Sequence, residues 1–95
     1  MNKKTKKELK ALAHHLNPVV MTGANGLTDA VHEAIDEALS AHELIKIKLN
    51  ANDRDERTAM LESVLARHRA ELIQKIGHTA TIYREAPNPA IADER

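Results

Sequence analysis

The chain has 95 residues, no cysteine, and 14 Lys plus Arg against 14 Asp plus Glu, so its formal net charge is zero. That length suits one domain with a core just large enough to fold unaided, and the missing cysteines exclude a disulfide scaffold and thiolate metal sites. No apolar run approaches a membrane span and the basic N-terminus leads into no signal-peptide core, so the expected location is the cytoplasm, away from membranes.

Thr5-Lys6-Lys7-Glu8 matches a capping box, and Leu9, Leu12, Ala13 and Leu16 follow at helical spacing. This predicts a first helix over about Thr5–His15, buried along those four residues and stopped at Asn17-Pro18. Lys3, Lys4, Lys6, Lys7 and Lys10 stand against Glu8 alone, a local charge of +4. A lysine-rich helix start is ordinarily a solvated face, but five lysines this close are also candidates for phosphate contact.

Val19-Val20-Met21 is a continuous apolar run, as expected of a short strand covered on both faces, with Pro18 opening it. Gly23-Ala24-Asn25-Gly26 follows as a tight loop, then Thr28 as a helix cap and Asp29 in the first turn. Exposed amides, little side-chain cover and a helix N-terminus suit a phosphate backbone. The same pattern is also a common strand-to-helix connection. The loop itself carries no Lys or Arg, and Asp29 would repel an anion on the helix axis.

The second helix, about Thr28–Ala41, places Val31, Ile35, Ala38 and Leu39 on one stripe and Glu33, Asp36 and Glu37 in water. From Ala11 to Ile45 there are five carboxylates and no Lys or Arg. Leu44–Leu49 then alternates as a strand, with Ile45, Ile47 and Leu49 on one side and Lys46 and Lys48 on the other. The two lysines become a binding surface if this strand runs beside the strand of the glycine loop, as β-α-β units commonly arrange. Asn50–Asp53 is a loop and cap for a third helix over about Arg54–Arg69, buried along Met60, Leu61, Val64 and Leu65. Glu71–Ile76 and Thr79–Arg84 read as a hairpin turning at Gly77-His78. Residues 86–95, with Pro87 and Pro89 and few apolar groups, are expected to be a disordered tail behind a single domain of residues 1–85. The predicted order is α-β-α-β-α-β-β, an α/β fold with a small open sheet.

No catalytic or cofactor motif is legible. His32-Glu33 lacks a histidine at position 36 and His42-Glu43 lacks one at position 46, so neither makes the zinc-protease helix, and the six histidines read mostly as surface residues. A dinucleotide loop wants a third glycine and a P-loop wants Gly-Lys-Ser/Thr; neither occurs. No enzyme activity, metal, cofactor or small-molecule substrate is expected. The single aromatic residue, Tyr83, disfavours reading of bases by aromatic stacking, so any nucleic-acid contact is led by shape and charge.

Three blocks resemble one family. Leu9–Val20 with Gly23–Thr28, His42–Lys48, and Gln74–Arg84 are similar, in order, to the start, second strand and closing hairpin of the CRM domain, in particular the small bacterial YhbY-type proteins. The resemblance implies an RNA-binding domain related in fold to the C-terminal domain of translation initiation factor 3, with a KH-like GxxG loop on a four-stranded mixed sheet. It further implies a bacterial protein that binds ribosomal RNA in precursors of the large ribosomal subunit and assists assembly; separately, a monomer is expected. By position, Gly23, Ala24, Asn25 and Gly26 match the family's RNA-contacting loop. The charge reading adds Lys3, Lys4, Lys6, Lys7, Lys10, Lys46, Lys48 and Arg84 as RNA-contact candidates. The chain departs from the family at His78, where members often carry a basic residue, and at Lys75, where they often carry an apolar one. The alternative from another class is a protein-interaction adaptor that uses the acidic second helix and has no direct RNA role.

Overall fold

The computed structural model describes residues 5–23 and 25–85. Lys3, Lys4, Ala24 and the expected tail, residues 86–95, lie outside the described residues. The elements follow the predicted order: α1 (Lys6–Ala13), β1 (Pro18–Met21), α2 (Asp29–His42), β2 (Leu44–Lys48), α3 (Arg54–His68), β3 (Glu71–Ile76) and β4 (Thr79–Tyr83). Local chemistry sets each start. Thr5 and Glu8 form the full capping box of α1, Thr28 Oγ1 accepts the Val31 amide at 3.2 Å, and Asp53 Oδ1 accepts the Glu56 amide at 2.8 Å. Gly77, with φ +58°, turns β3 into β4.

The four strands form one mixed sheet in the order β1-β2-β4-β3, with β1 and β2 parallel and the other neighbours antiparallel. The α/β fold with a four-stranded mixed sheet is as the sequence implies. Strand alternation then sorts the side chains. Val20, Ile45, Ile47, Ala80 and Ile82 join Ile35 and Leu39 of α2 and Leu61 and Val64 of α3 in the main core. On the opposite face α1 covers only one end of the sheet, where Leu9 meets Leu44, Ile73 and Tyr83.

That incomplete cover corrects two expectations. β1 is an edge strand buried only at Val20, with Val19 and Met21 exposed where α1 leaves that face uncovered. The apolar run therefore does not mark burial on two faces. Leu12 also lies off the buried stripe of α1, because the eight-residue helix is seated through Leu9 and Ala13.

Two histidines are not surface residues. His32 of α2 and His68 of α3 are each only 6% exposed, and His32 Nδ1 lies 2.9 Å from His68 Nε2. One nitrogen must donate and the other accept, so the contact requires at least one neutral ring. Burial lowers both imidazole pKa values; Arg67 adds to this at His32, and His32 and Arg84 add to it at His68, against the opposing pull of Asp29 and Asp36. Lowered folded-state values mean that the unfolded chain takes up these protons more readily. The pair's stabilisation is thus complete above the unfolded imidazole value of about 6.5 and is lost as pH falls through and below it. The expected outcome is a thermal midpoint that drops between about pH 7 and pH 5, with a shallower drop in the H32Q/H68Q protein, as read by circular dichroism.

Candidate nucleic-acid interface

The glycine loop begins where β1 ends. Met21 is the register partner of Lys48, and the Thr22 amide donates to the Lys48 carbonyl at 3.0 Å. Thr22 is 2% exposed and is bound to the segment after β2 through both of its ends. Its hydroxyl accepts the Asn50 amide at 2.8 Å, and the Asn50 side-chain amide donates to the Thr22 carbonyl at 2.8 Å. This clamp joins two residues 28 positions apart and holds the exits of two neighbouring parallel strands together. Nothing in the periodicity of the chain announces it, and neither residue figured among the predicted site residues.

Beyond the clamp the chain makes a tight turn. The Gly26 amide donates to the Gly23 carbonyl at 3.1 Å, and the Thr28 amide donates to the Gly26 carbonyl at 3.1 Å, leading into α2. The two glycines differ in what they supply. Gly26 has φ +71°, a conformation L side chains rarely adopt. Gly23 needs no such angle, and a Cβ built on it meets nothing within 4 Å. Its missing side chain leaves open space beside Asn25, which is itself exposed.

Among the described candidate lysines, Lys46 and Lys48 share one sheet face, and Lys6, Lys7 and Lys10 belong to the helix that covers one end of it. Lys46 and Lys48 lie on the face of β2 away from the main core, Lys48 beside the loop and Lys46 one pleat further back. Next along that face is Leu44, already under α1, so Lys46 stands between the glycine loop and the helix that carries Lys6, Lys7 and Lys10. Those three are exposed. Glu8, the one carboxylate of that helix, is drawn back into the cap, accepting from the Thr5 amide at 2.8 Å.

Arg84 is the exception among the predicted cations. It follows β4 at the end of the sheet opposite the loop. Its guanidinium pairs with Asp36 Oδ1 at 3.0 Å and donates to the Ser40 hydroxyl at 3.1 Å and the His68 carbonyl at 3.2 Å. Arg84 ties β4 to α2 and α3 and is not part of the loop surface. A cation outside the predicted set, Arg57 of α3, lies with Nη1 3.0 Å from His78 Nδ1 in the β3–β4 turn, and the His78 carbonyl accepts the Leu49 amide at 2.7 Å. Among the described residues no three His, Asp or Glu side chains are grouped to hold a metal.

The clamp makes its own prediction. Thr22→Val keeps the shape but leaves the Asn50 amide without its acceptor, and an unsatisfied amide of this kind costs about 1–2 kcal/mol. Chemical denaturation should show that loss, with amide exchange quickening in residues 22–26 before the core strands.

Three kinds of similarity bear on this geometry. Residues 1–84 match the model of the CRS1 / YhbY (CRM) domain. A probable RNA-binding protein of Pseudomonas aeruginosa is 43% identical over 89 residues, covering 94% of this chain and 86% of its own. An RNA-binding protein of Haemophilus influenzae is 43% identical over 91 residues, covering 96% and 92%. The solution structure of a Staphylococcus aureus protein described as a candidate RNA binder superposes with a TM-score of 0.75 at 34% identity, covering 87% of this chain and 86% of that one. Its fold is the same mixed sheet with three helices. The chain belongs to the CRS1/YhbY (CRM) domain family.

Proposed function

We propose that this protein binds RNA without catalysis, and that its RNA is ribosomal RNA in precursors of the large ribosomal subunit, whose assembly it assists as a monomer. The observation that carries the reading is the glycine loop at the end of β1, next to Lys48 at the end of β2, with Lys48 and Lys46 on the sheet face whose far end lysine-bearing α1 covers. The names of the relatives from P. aeruginosa and H. influenzae support RNA as the ligand class. In this reading a phosphate passes over residues 23–26, where backbone amides attract it and no side chain at position 23 keeps it away. Lys3, Lys4, Lys6, Lys7, Lys10, Lys46 and Lys48 neutralise the phosphates to either side.

Gly23→Asp with Asn25→Asp tests the loop. Position 23 has room for a side chain and residue 25 is exposed, so folding stability should move by no more than about half a kcal/mol. Each new carboxylate opposes a phosphate by on the order of 1 kcal/mol. The expected result is an unchanged thermal midpoint with loss of RNA binding and of co-sedimentation with large-subunit precursors. Wild-type binding by this variant would leave the loop as a turn and turn attention to the adaptor reading.

Replacing Lys6, Lys7, Lys10, Lys46 and Lys48 with Gln tests the charge. Every phosphate that is no longer neutralised should flatten the dependence of log affinity on log salt by roughly 0.7 for single-stranded RNA. A slope equal to that of the wild type would remove these lysines from the interface.

A further inference from the structure

Between the glycine loop and α1, the open sheet face combines charge with apolar surface. The row next to the loop runs Met21–Lys48–Thr79–Ile76 across all four strands, and the next row on this face brings Lys46 beside Thr81 and Gln74. Val19, Met21 and Ile76 are 55%, 60% and 64% exposed, and Leu12 of α1, 45% exposed, lines a groove together with Val19 and Lys46. The two lysines lie on the inner strand β2, and the apolar side chains lie on the two edge strands β1 and β3. No carboxylate stands among the described residues of these two rows; the acidic side chains of α2 lie on the other side of the sheet.

Single exposed apolar residues are ordinary, but three flanking a pair of lysines beside the glycine loop call for a ligand both anionic and apolar. An acidic, apolar peptide and an unpaired nucleic-acid strand both have that character. The loop decides between them: its amides and open space suit a repeating phosphodiester, whose bases must then lie on whatever surface borders the loop. Duplex RNA hides its base faces and would leave Met21 and Ile76 with nothing to cover.

We infer that the Met21–Ile76 strip receives the bases of an unpaired RNA segment whose backbone crosses the glycine loop, with aliphatic side chains serving where base-stacking domains use aromatic rings. The inference rests on the RNA-binding reading above and adds the form of the ligand. Lys46 and Lys48 hold the phosphates, while Thr79 and Gln74, both half-buried in the strip, offer hydrogen bonds to base edges. Base contact of this kind is weak per nucleotide and tolerant of sequence.

The test measures binding of the full chain to three probes by fluorescence anisotropy: an oligouridine of about 12 nucleotides, within the span of known single-strand sites, an abasic ribose-phosphate strand of that length, and a duplex. The variant is Met21→Thr with Ile76→Thr, which keeps β-forming residues at exposed positions and changes no charge. Wild type should prefer oligouridine to the abasic strand and to the duplex, and the variant should lose about tenfold on oligouridine alone, with an unchanged salt slope. Equal binding of wild type to oligouridine and the abasic strand, or of variant and wild type to oligouridine, overturns the base strip while leaving RNA binding standing. Failure of the wild type to bind any probe overturns the RNA reading and this inference with it. A concentration-dependent dimer in sedimentation, dissolved by the same two substitutions, would assign the strip to a second copy of the chain and overturn the inference in that way.

Discussion

The parallel pairing of β1 with β2, closed by Thr22 and Asn50, is the constraint on which the rest depends. Parallel neighbours need a crossover, and α2 supplies it. The crossover brings the C-terminal ends of two strands side by side, the place where open α/β sheets present their ligand-binding loops. Without the clamp the two exits would be separate loops. With it, the turn at residues 23–26 is tied to the end of the strand that carries Lys48, so backbone amides and lysines share one edge of the molecule.

A net charge of zero is compatible with that arrangement because side-chain alternation and partial helix cover separate the charges. β2 sends Ile45 and Ile47 into the core and Lys46 and Lys48 out of the other face. α2, packed on the core face, keeps Glu33, Asp36 and Glu37 exposed on its outer side. Asp36 is in turn partly engaged by Arg84. The field of such a molecule is polar even though its sum vanishes, and a polyanion meets the two sides of the sheet differently. In the RNA-binding reading proposed above, these carboxylates turn a polyanion towards the other side of the sheet.

Local chemistry made most of the fold legible. Caps at Thr5, Thr28 and Asp53 mark helix starts through hydrogen bonds within three residues, and the alternation of Leu44–Leu49 needs only neighbours. What could not be read depends on residues far apart. The Val19-Val20-Met21 run looks the same in a central strand and in an edge strand, since only sheet order decides what covers it. His32 and His68 are 36 positions apart and Thr22 and Asn50 are 28 apart, so neither pair has a spacing to recognise. Arg84 entered the candidate site on its charge alone; the strand that ends just before it points to the wrong end of the sheet, where Asp36 and Ser40 wait for it. The turn at the glycine loop was therefore legible because it is made of backbone, and the side-chain geometry around it was less so.

The two loop glycines show how far structure can separate folding from function. Gly26 answers to the fold: its φ of +71° would strain any residue with a side chain. Gly23 answers to nothing the folded chain contains. Its backbone is ordinary, its neighbours leave a Cβ free, and the clamp that anchors the turn belongs to Thr22. A residue whose side chain the protein has room for, next to the strand end that carries Lys48, has no steric role within the described fold. In the RNA-binding reading proposed above, an approaching polyanion meets main chain at Gly23 and reaches Lys48 in the same pass.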